Sequence, residues 1–147
     1  MSNNYSSFCE CFKDVTPDEL GWITNTLELD TIDDEEIVEL LGRQGITEKI
    51  SDPDTWPAFN WDYTGDEVFI YAEEEFNLDH VRIFMQAFLK RFRPGSSFIM
   101  TWADYCSRNL SGAFGGGAAL ITAEECIVKT TQAFRNEWES NNEEENE

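Results

Sequence analysis

Asp33, Asp34, Glu35, Glu36 and Glu39 fall within six residue steps, which on a helix is about 9 Å of axis, or roughly one negative charge per 1.8 Å. Duplex DNA carries one per roughly 1.7 Å. Oxygen ligands this dense could also hold a hard cation, but an EF-hand needs alternating ligands, a central glycine and a closing glutamate, and this segment has none of that order. No metal and no cofactor is expected. A second candidate is the run Gly115, Gly116 and Gly117 with Arg108 before it, a possible loop site for a small anionic ligand through backbone N–H groups. The run leads into an apolar strand pattern rather than a helix, and no lysine follows until Lys129. Close backbone packing is therefore the competing explanation. Cys106, His80 and Asp104 supply the residue types of a thiol nucleophile, base and orienting acid. No local signature joins them, so no catalytic residue is assigned and the chain is read as non-enzymatic. Cys9 and Cys11 are separated by one residue, which is not a zinc-ligand spacing. The four cysteines are read as reduced, structural thiols.

Charge decides more than any of these motifs. Residues 1–76 carry 20 acids against Lys13, Arg43 and Lys49, and residues 77–135 carry four acids against seven bases. The last twelve residues add six glutamates, for a net charge of −20. Such a chain repels nucleic acid and anionic membranes and attracts basic surfaces. No apolar run reaches the ~18 residues needed to span a bilayer. A cytoplasmic protein is expected.

The elements that must position these residues are readable from caps and periodicity. Thr16-Pro17-Asp18-Glu19 is a capping box with proline at the first helical position, predicting a helix from Pro17 to about Glu28. A second acidic helix begins after Thr31 or Asp33 and is ended by Gly42 or Gly45. Alternation in Phe59–Tyr63 and the run Val68–Tyr71, split by Thr64-Gly65-Asp66, predict a hairpin. Val81, Phe84, Met85, Phe88, Leu89 and Phe92 define one face of a helix over 78–93. Strands are predicted at 98–105 and 118–121. Thr122-Ala123-Glu124-Glu125, a second capping-box signature, predicts a helix over 123–139.

The expected fold is α+β: about four antiparallel strands covered on one face by the helices at 78–93 and 123–139, with two acidic N-terminal helices at an edge. Residues 1–140 would form a single domain, in which 1–56 is the acidic helical part and 57–140 a strand-strand-helix-strand-strand-helix core. Residues 141–147 would be a disordered acidic tail. With 20 aromatic residues the chain can fill a core.

The candidate partner-binding acids are Glu28, Asp30, Asp33, Asp34, Glu35, Glu36 and Glu39 in the first group. Asp62, Asp66, Glu67, Glu73, Glu74 and Glu75 form the second. Trp56 and Tyr63 are candidate aromatic anchors, with core packing as the alternative for both. Each acidic cluster has its own bland explanation in helix starts and solubility. An excess of 17 within 76 residues exceeds what solubility requires.

Thr101-Trp102-Ala103-Asp104-Tyr105-Cys106-Ser107, Gly112-Ala113-Phe114-Gly115-Gly116-Gly117-Ala118 and Ile121-Thr122-Ala123 together resemble a stretch of small acidic phage and plasmid proteins without an assigned activity. The resemblance lends no catalytic residue. It implies a mobile-element origin, where small acidic proteins resemble inhibitors of host defence nucleases, including DNA mimics and anti-CRISPR proteins. The expected function is occlusion of a basic partner's nucleic-acid-binding surface, the partner being a nucleic-acid-binding protein or a nuclease complex. Direct nucleic-acid or membrane binding is not expected. The alternatives are an immunity-type protein that neutralises a basic toxin, and a small-ligand enzyme or sensor using the glycine loop. A self-complementary aromatic patch would make a homodimer.

Overall fold

The structure, a computed structural model, describes the backbone at residues 4–107 and 114–145 and the side chains of these residues up to Glu139. It is α+β, as the sequence predicts, with six antiparallel strands rather than four. In chain order these are β1 (Asn4–Phe12), β2 (Asn60–Thr64), β3 (Glu67–Ala72), β4 (Ser97–Cys106), β5 (Gly115–Thr122) and β6 (Cys126–Thr130). The helices are α1 (Pro17–Leu27), α2 (Asp34–Arg43), α3 (Leu78–Phe92) and α4 (Thr131–Glu145), with a 3-10 turn at Pro53–Thr55. Spatially the strands run β2-β3-β1-β4-β5-β6.

The N-terminal part is therefore not purely helical, because β1 lies in the interior of the sheet. Phe8–Phe12 pair with Val68–Ala72 of β3, whereas Asn4–Ser7 pair with Ala103–Cys106 of β4. Beyond Ser7 the β1–β4 ladder ends, and there the Glu10 carboxylate accepts the Thr101 N–H at 3.1 Å. Only Phe8 and Phe12 of β1 reach the core. Their spacing of four, with two cysteines and a glutamate between, hides the period of two.

The second missed strand follows from the second capping signature. Thr122 Oγ1 accepts the Glu125 N–H at 2.9 Å, the bond a helix cap would make, but the Thr122 N–H also donates to the Glu125 carbonyl at 2.8 Å. The chain reverses, and Ile127, Val128 and Thr130 continue as β6, consistent with the strand preference of β-branched residues. The last helix thus starts at Thr131, where Thr130 Oγ1 accepts the Ala133 N–H at 3.0 Å. It runs on to Glu145, through most of the segment expected to be a disordered tail.

One core joins the layers. Phe84 and Phe88 of α3 are completely buried, and Trp22 of α1 packs on them with ring centroids 5.8 and 6.1 Å apart. Phe12 of β1 meets Phe88 at 5.1 Å and Phe98 of β4 at 6.4 Å. Each such ring contributes roughly 1.5–3 kcal/mol by leaving water. Trp22, Ile23 and Leu27 make α1 part of this core rather than an acidic appendage, and α2 is held by Ile37 and Leu41.

The capping box at Thr16 forms as predicted, and its glutamate carries a second load. Glu19, 5% exposed, accepts the Thr16 N–H at 2.9 Å and the Arg93 Nε–H at 2.9 Å. Burial alone would push its carboxyl up, but the bonds from Arg93 and Thr16 prevail and hold it below the usual range. Its stabilising contribution is complete above the ordinary glutamate pKa of about 4.3 and is lost as pH falls through the lower folded value. Glu19→Gln should cost about 1–3 kcal/mol at neutral pH. In urea titrations across pH, the wild-type midpoint should fall more steeply than the variant's below about pH 4.3.

Candidate partner-binding surface

Glu73, Glu74 and Glu75 form the bend between β3 and α3, with exposed side chains on a pinned backbone. The Ser6 N–H donates to the Glu74 carbonyl at 2.7 Å, and the Tyr105 hydroxyl donates to the Glu73 carbonyl at 3.1 Å. Phe76 anchors the end of the bend against Phe8, 4.7 Å away, and Trp102, 5.9 Å away. Asn77 then caps α3 by accepting the N–H groups of Asp79 and His80.

His80 sets the wall on one side of this bend. It is fully buried, its Nδ1 accepts the Ala58 N–H at 3.1 Å, and its Nε2–H donates to the Ser51 carbonyl at 2.6 Å. These partners fix the tautomer and hold residues 51–58, including the cis Trp56–Pro57 bond. Trp56 is 7% exposed, donates its indole N–H to the Thr26 carbonyl at 3.0 Å and packs on His80. It belongs to the core and is removed from the candidate anchors, because its ring is what closes the 51–58 loop onto α1. Tyr63 is 51% exposed, resting on Trp61 at 6.1 Å.

Two open grooves flank the acidic bend. One, of about 480 Å³, is lined by Thr55, Pro57, Asn60 and Glu75 among others. The other, of about 530 Å³, lies on the opposite side and includes Ser7, Cys9, Tyr71, Glu73 and Tyr105. The α2 helix packs on the Pro53–Thr55 turn, so it shares a neighbour with the first groove.

The structure divides the thirteen candidate acids into three groups rather than one stretch. Glu28 and Asp30 lead into α2, where Asp33 caps the helix by accepting the Glu36 N–H and Asp34, Glu35, Glu36 and Glu39 follow. Asp62, Asp66 and Glu67 gather at the β2–β3 hairpin. Glu73, Glu74 and Glu75 sit at the other end of β3, separated from the hairpin turn by a strand of six residues, or about 20 Å. Twelve of these acids are exposed and Glu67 is half-buried.

Two of the bases on and just after α3 are paired with acids outside the candidate set. Arg82 pairs with Asp79 and Glu48, at 2.7 and 3.0 Å, and Arg93 pairs with Glu19. Among the described residues, only two candidate acids join ion pairs: Glu39 with Arg43 at 2.8 Å, and Glu67 with Lys13 at 3.8 Å. Both pairs are solvent-exposed and weak.

The glycine run is part of a strand. Gly115, Gly116 and Gly117 are ladder residues of β5, opposite Asp104, Ala103 and Trp102. A Cβ on Gly116 would collide with the Trp102 carbonyl, and one on Gly117 with the Trp102 indole. Glycine is required there so that the strand can pass close to Trp102. Arg108 lies outside the described residues. Both nitrogens of His80 are engaged, so the ring has no lone pair free for Cys106. Among the described residues, no three His, Cys, Asp or Glu side chains gather as a metal site, and no helix is long and apolar enough to cross a membrane.

Sequence reasoning missed the second groove because its floor is β1. The signal was Tyr5, Ser7, Cys9 and Cys11 at a spacing of two, which puts them on the sheet face away from the helices. Burial pushes the Cys11 thiol up, and Glu67 adds to that, whereas Cys9 is exposed.

Replacing His80 with Phe would strand the Ala58 N–H and the Ser51 carbonyl, at an expected cost of about 2–4 kcal/mol. Urea denaturation should register that loss, and hydrogen exchange should show residues 51–58 opening before α3. Comparison with known protein families, characterised proteins and solved structures finds no match to this chain.

Proposed function

We propose that this is a non-enzymatic acidic binding protein that occupies the basic nucleic-acid-binding surface of a partner. It would act like a DNA mimic that inhibits a host defence nuclease of the anti-CRISPR or anti-restriction kind. The observation that carries this reading is the uncompensated acid: eleven of the thirteen candidate carboxylates make no ion pair among the described residues, while Arg82 and Arg93 serve other acids. A fold under no pressure to present negative charge would place its cations between those acids, since self-repulsion destabilises the compact state.

The acids at α2 approach the linear charge density of a phosphate backbone, and the field they make steers a basic partner towards the surface. The half-exposed Tyr63 supplies an aromatic contact beside Asp62 once water is expelled. The other two acidic groups extend the contact to both ends of β3. Such a division suits a basic cleft that follows a nucleic-acid strand, where positive charge is also spread along a path.

The immobilised protein should capture basic nucleic-acid-binding proteins from a host lysate, and added duplex DNA should release them. Capture should weaken steeply with salt as the Debye length shrinks. Simultaneous Asp33→Lys, Asp34→Lys, Glu35→Lys and Glu36→Lys changes should abolish capture while the protein stays folded, at a cost of about 2–4 kcal/mol in stability, because Asp33 caps α2 and the other three lie in its first turn. Capture that DNA cannot displace, or that survives the four reversals at physiological salt, would overturn the proposal.

A further inference from the structure

We infer that the groove between Tyr71 and Tyr105 receives an arginine side chain of the basic partner, with Glu73 as its counter-ion; this deepens the acidic-binder reading and rests on it. Ser7 and Cys9 form the floor, on the sheet face away from the helices, of an open groove of about 530 Å³ that Tyr71 and Tyr105 also line. Glu73 is the one charged residue lining the groove, and its side chain is exposed and unpaired among the described residues. The walls are set in advance. Tyr5 stacks on Tyr105 at 5.1 Å, and the Tyr105 hydroxyl is fixed by its bond to the Glu73 carbonyl.

Two aromatic rings and one carboxylate lining a groove select a cation that is flat, weakly hydrated and able to stack. Guanidinium meets all three conditions. An ammonium group is a compact, strongly hydrated point charge, so it loses more on entering and stacks on neither ring. Anions are repelled by Glu73 and by Glu74 and Glu75 beside it. An uncharged apolar side chain would leave the carboxylate without a partner. Arginine is also a side chain with which nucleic-acid-binding surfaces hold phosphate, so Glu73 would stand in for one phosphate of the displaced strand.

Titration of the isotopically labelled full-length protein with N-acetyl-arginine amide, followed by NMR, tests the assignment. Saturable shifts should centre on Ser7, Cys9, Tyr71 and Tyr105, and binding should be at least about threefold tighter than for N-acetyl-lysine amide. Glu73→Gln, at an exposed position, and Tyr71→Ala should each weaken arginine binding by at least about threefold. Equal responses to arginine and lysine, or shifts centred on Asp33–Glu36, would overturn the assignment. The four α2 reversals should leave the groove's response intact, which separates the two proposals. A groove that responds in a protein showing no DNA-displaceable capture overturns the functional reading alone. Capture undiminished in the Glu73→Gln, Tyr71→Ala double variant overturns the arginine site alone.

Discussion

Burial of the Phe84 and Phe88 rings between the sheet and α1 is the interaction on which the rest of this molecule depends. A chain of net charge −20 is pushed apart by its own field, and that repulsion must be offset by apolar contact. Phe88 touches Phe12 of β1 and Trp22 of α1, so a single helix face ties the interior strand to the N-terminal helix. His80, one turn before Phe84 on the same helix, extends the hold to the 51–58 loop by polar bonds rather than by packing.

Arg82 and Arg93 reinforce this scaffold rather than the candidate acidic surface. Arg93 bridges the end of α3 to Glu19 and to the carbonyls of Lys13 and Asp14, joining three elements at one guanidinium. Arg82 does the same near the other end of α3, for Asp79 on its own helix and Glu48 in the loop after α2. Both sit against the core, where an ion pair is less screened than on the surface. The acids of α2, the hairpin and the 73–75 bend are left facing water.

Much of this was legible where local chemistry and tertiary structure agree. Thr16 and Glu19 form the predicted reciprocal cap, α3 spans the predicted apolar stripe, and the β2–β3 hairpin turns at Gly65. Legibility failed where one local signal fits two structures. Thr122-Ala-Glu-Glu makes its threonine bond equally well in a helix start and in a hairpin turn, and the β-branched residues after it decide in favour of the strand. In β1 the alternation is carried by polar residues on both faces, so hydrophobicity alone cannot register it. Trp56 could not be placed from sequence because its burial depends on Thr26, thirty residues away. The grouping of the acids was likewise invisible, being a property of how β3 separates its two ends.

The interior position of β1 sets the order in which the molecule can be completed. Its partners lie far along the chain: Ser6 hydrogen-bonds Asp104 at a sequence separation of 98. During synthesis β1 therefore leaves the ribosome long before either neighbouring strand exists, and it must stay unpaired with them until β3 and then β4 have emerged. Assembly dominated by such distant pairings is slow. The earliest of the six strands in chain order thus joins β3 to β4, and a deletion within residues 4–12 acts on the middle of the sheet rather than on its margin.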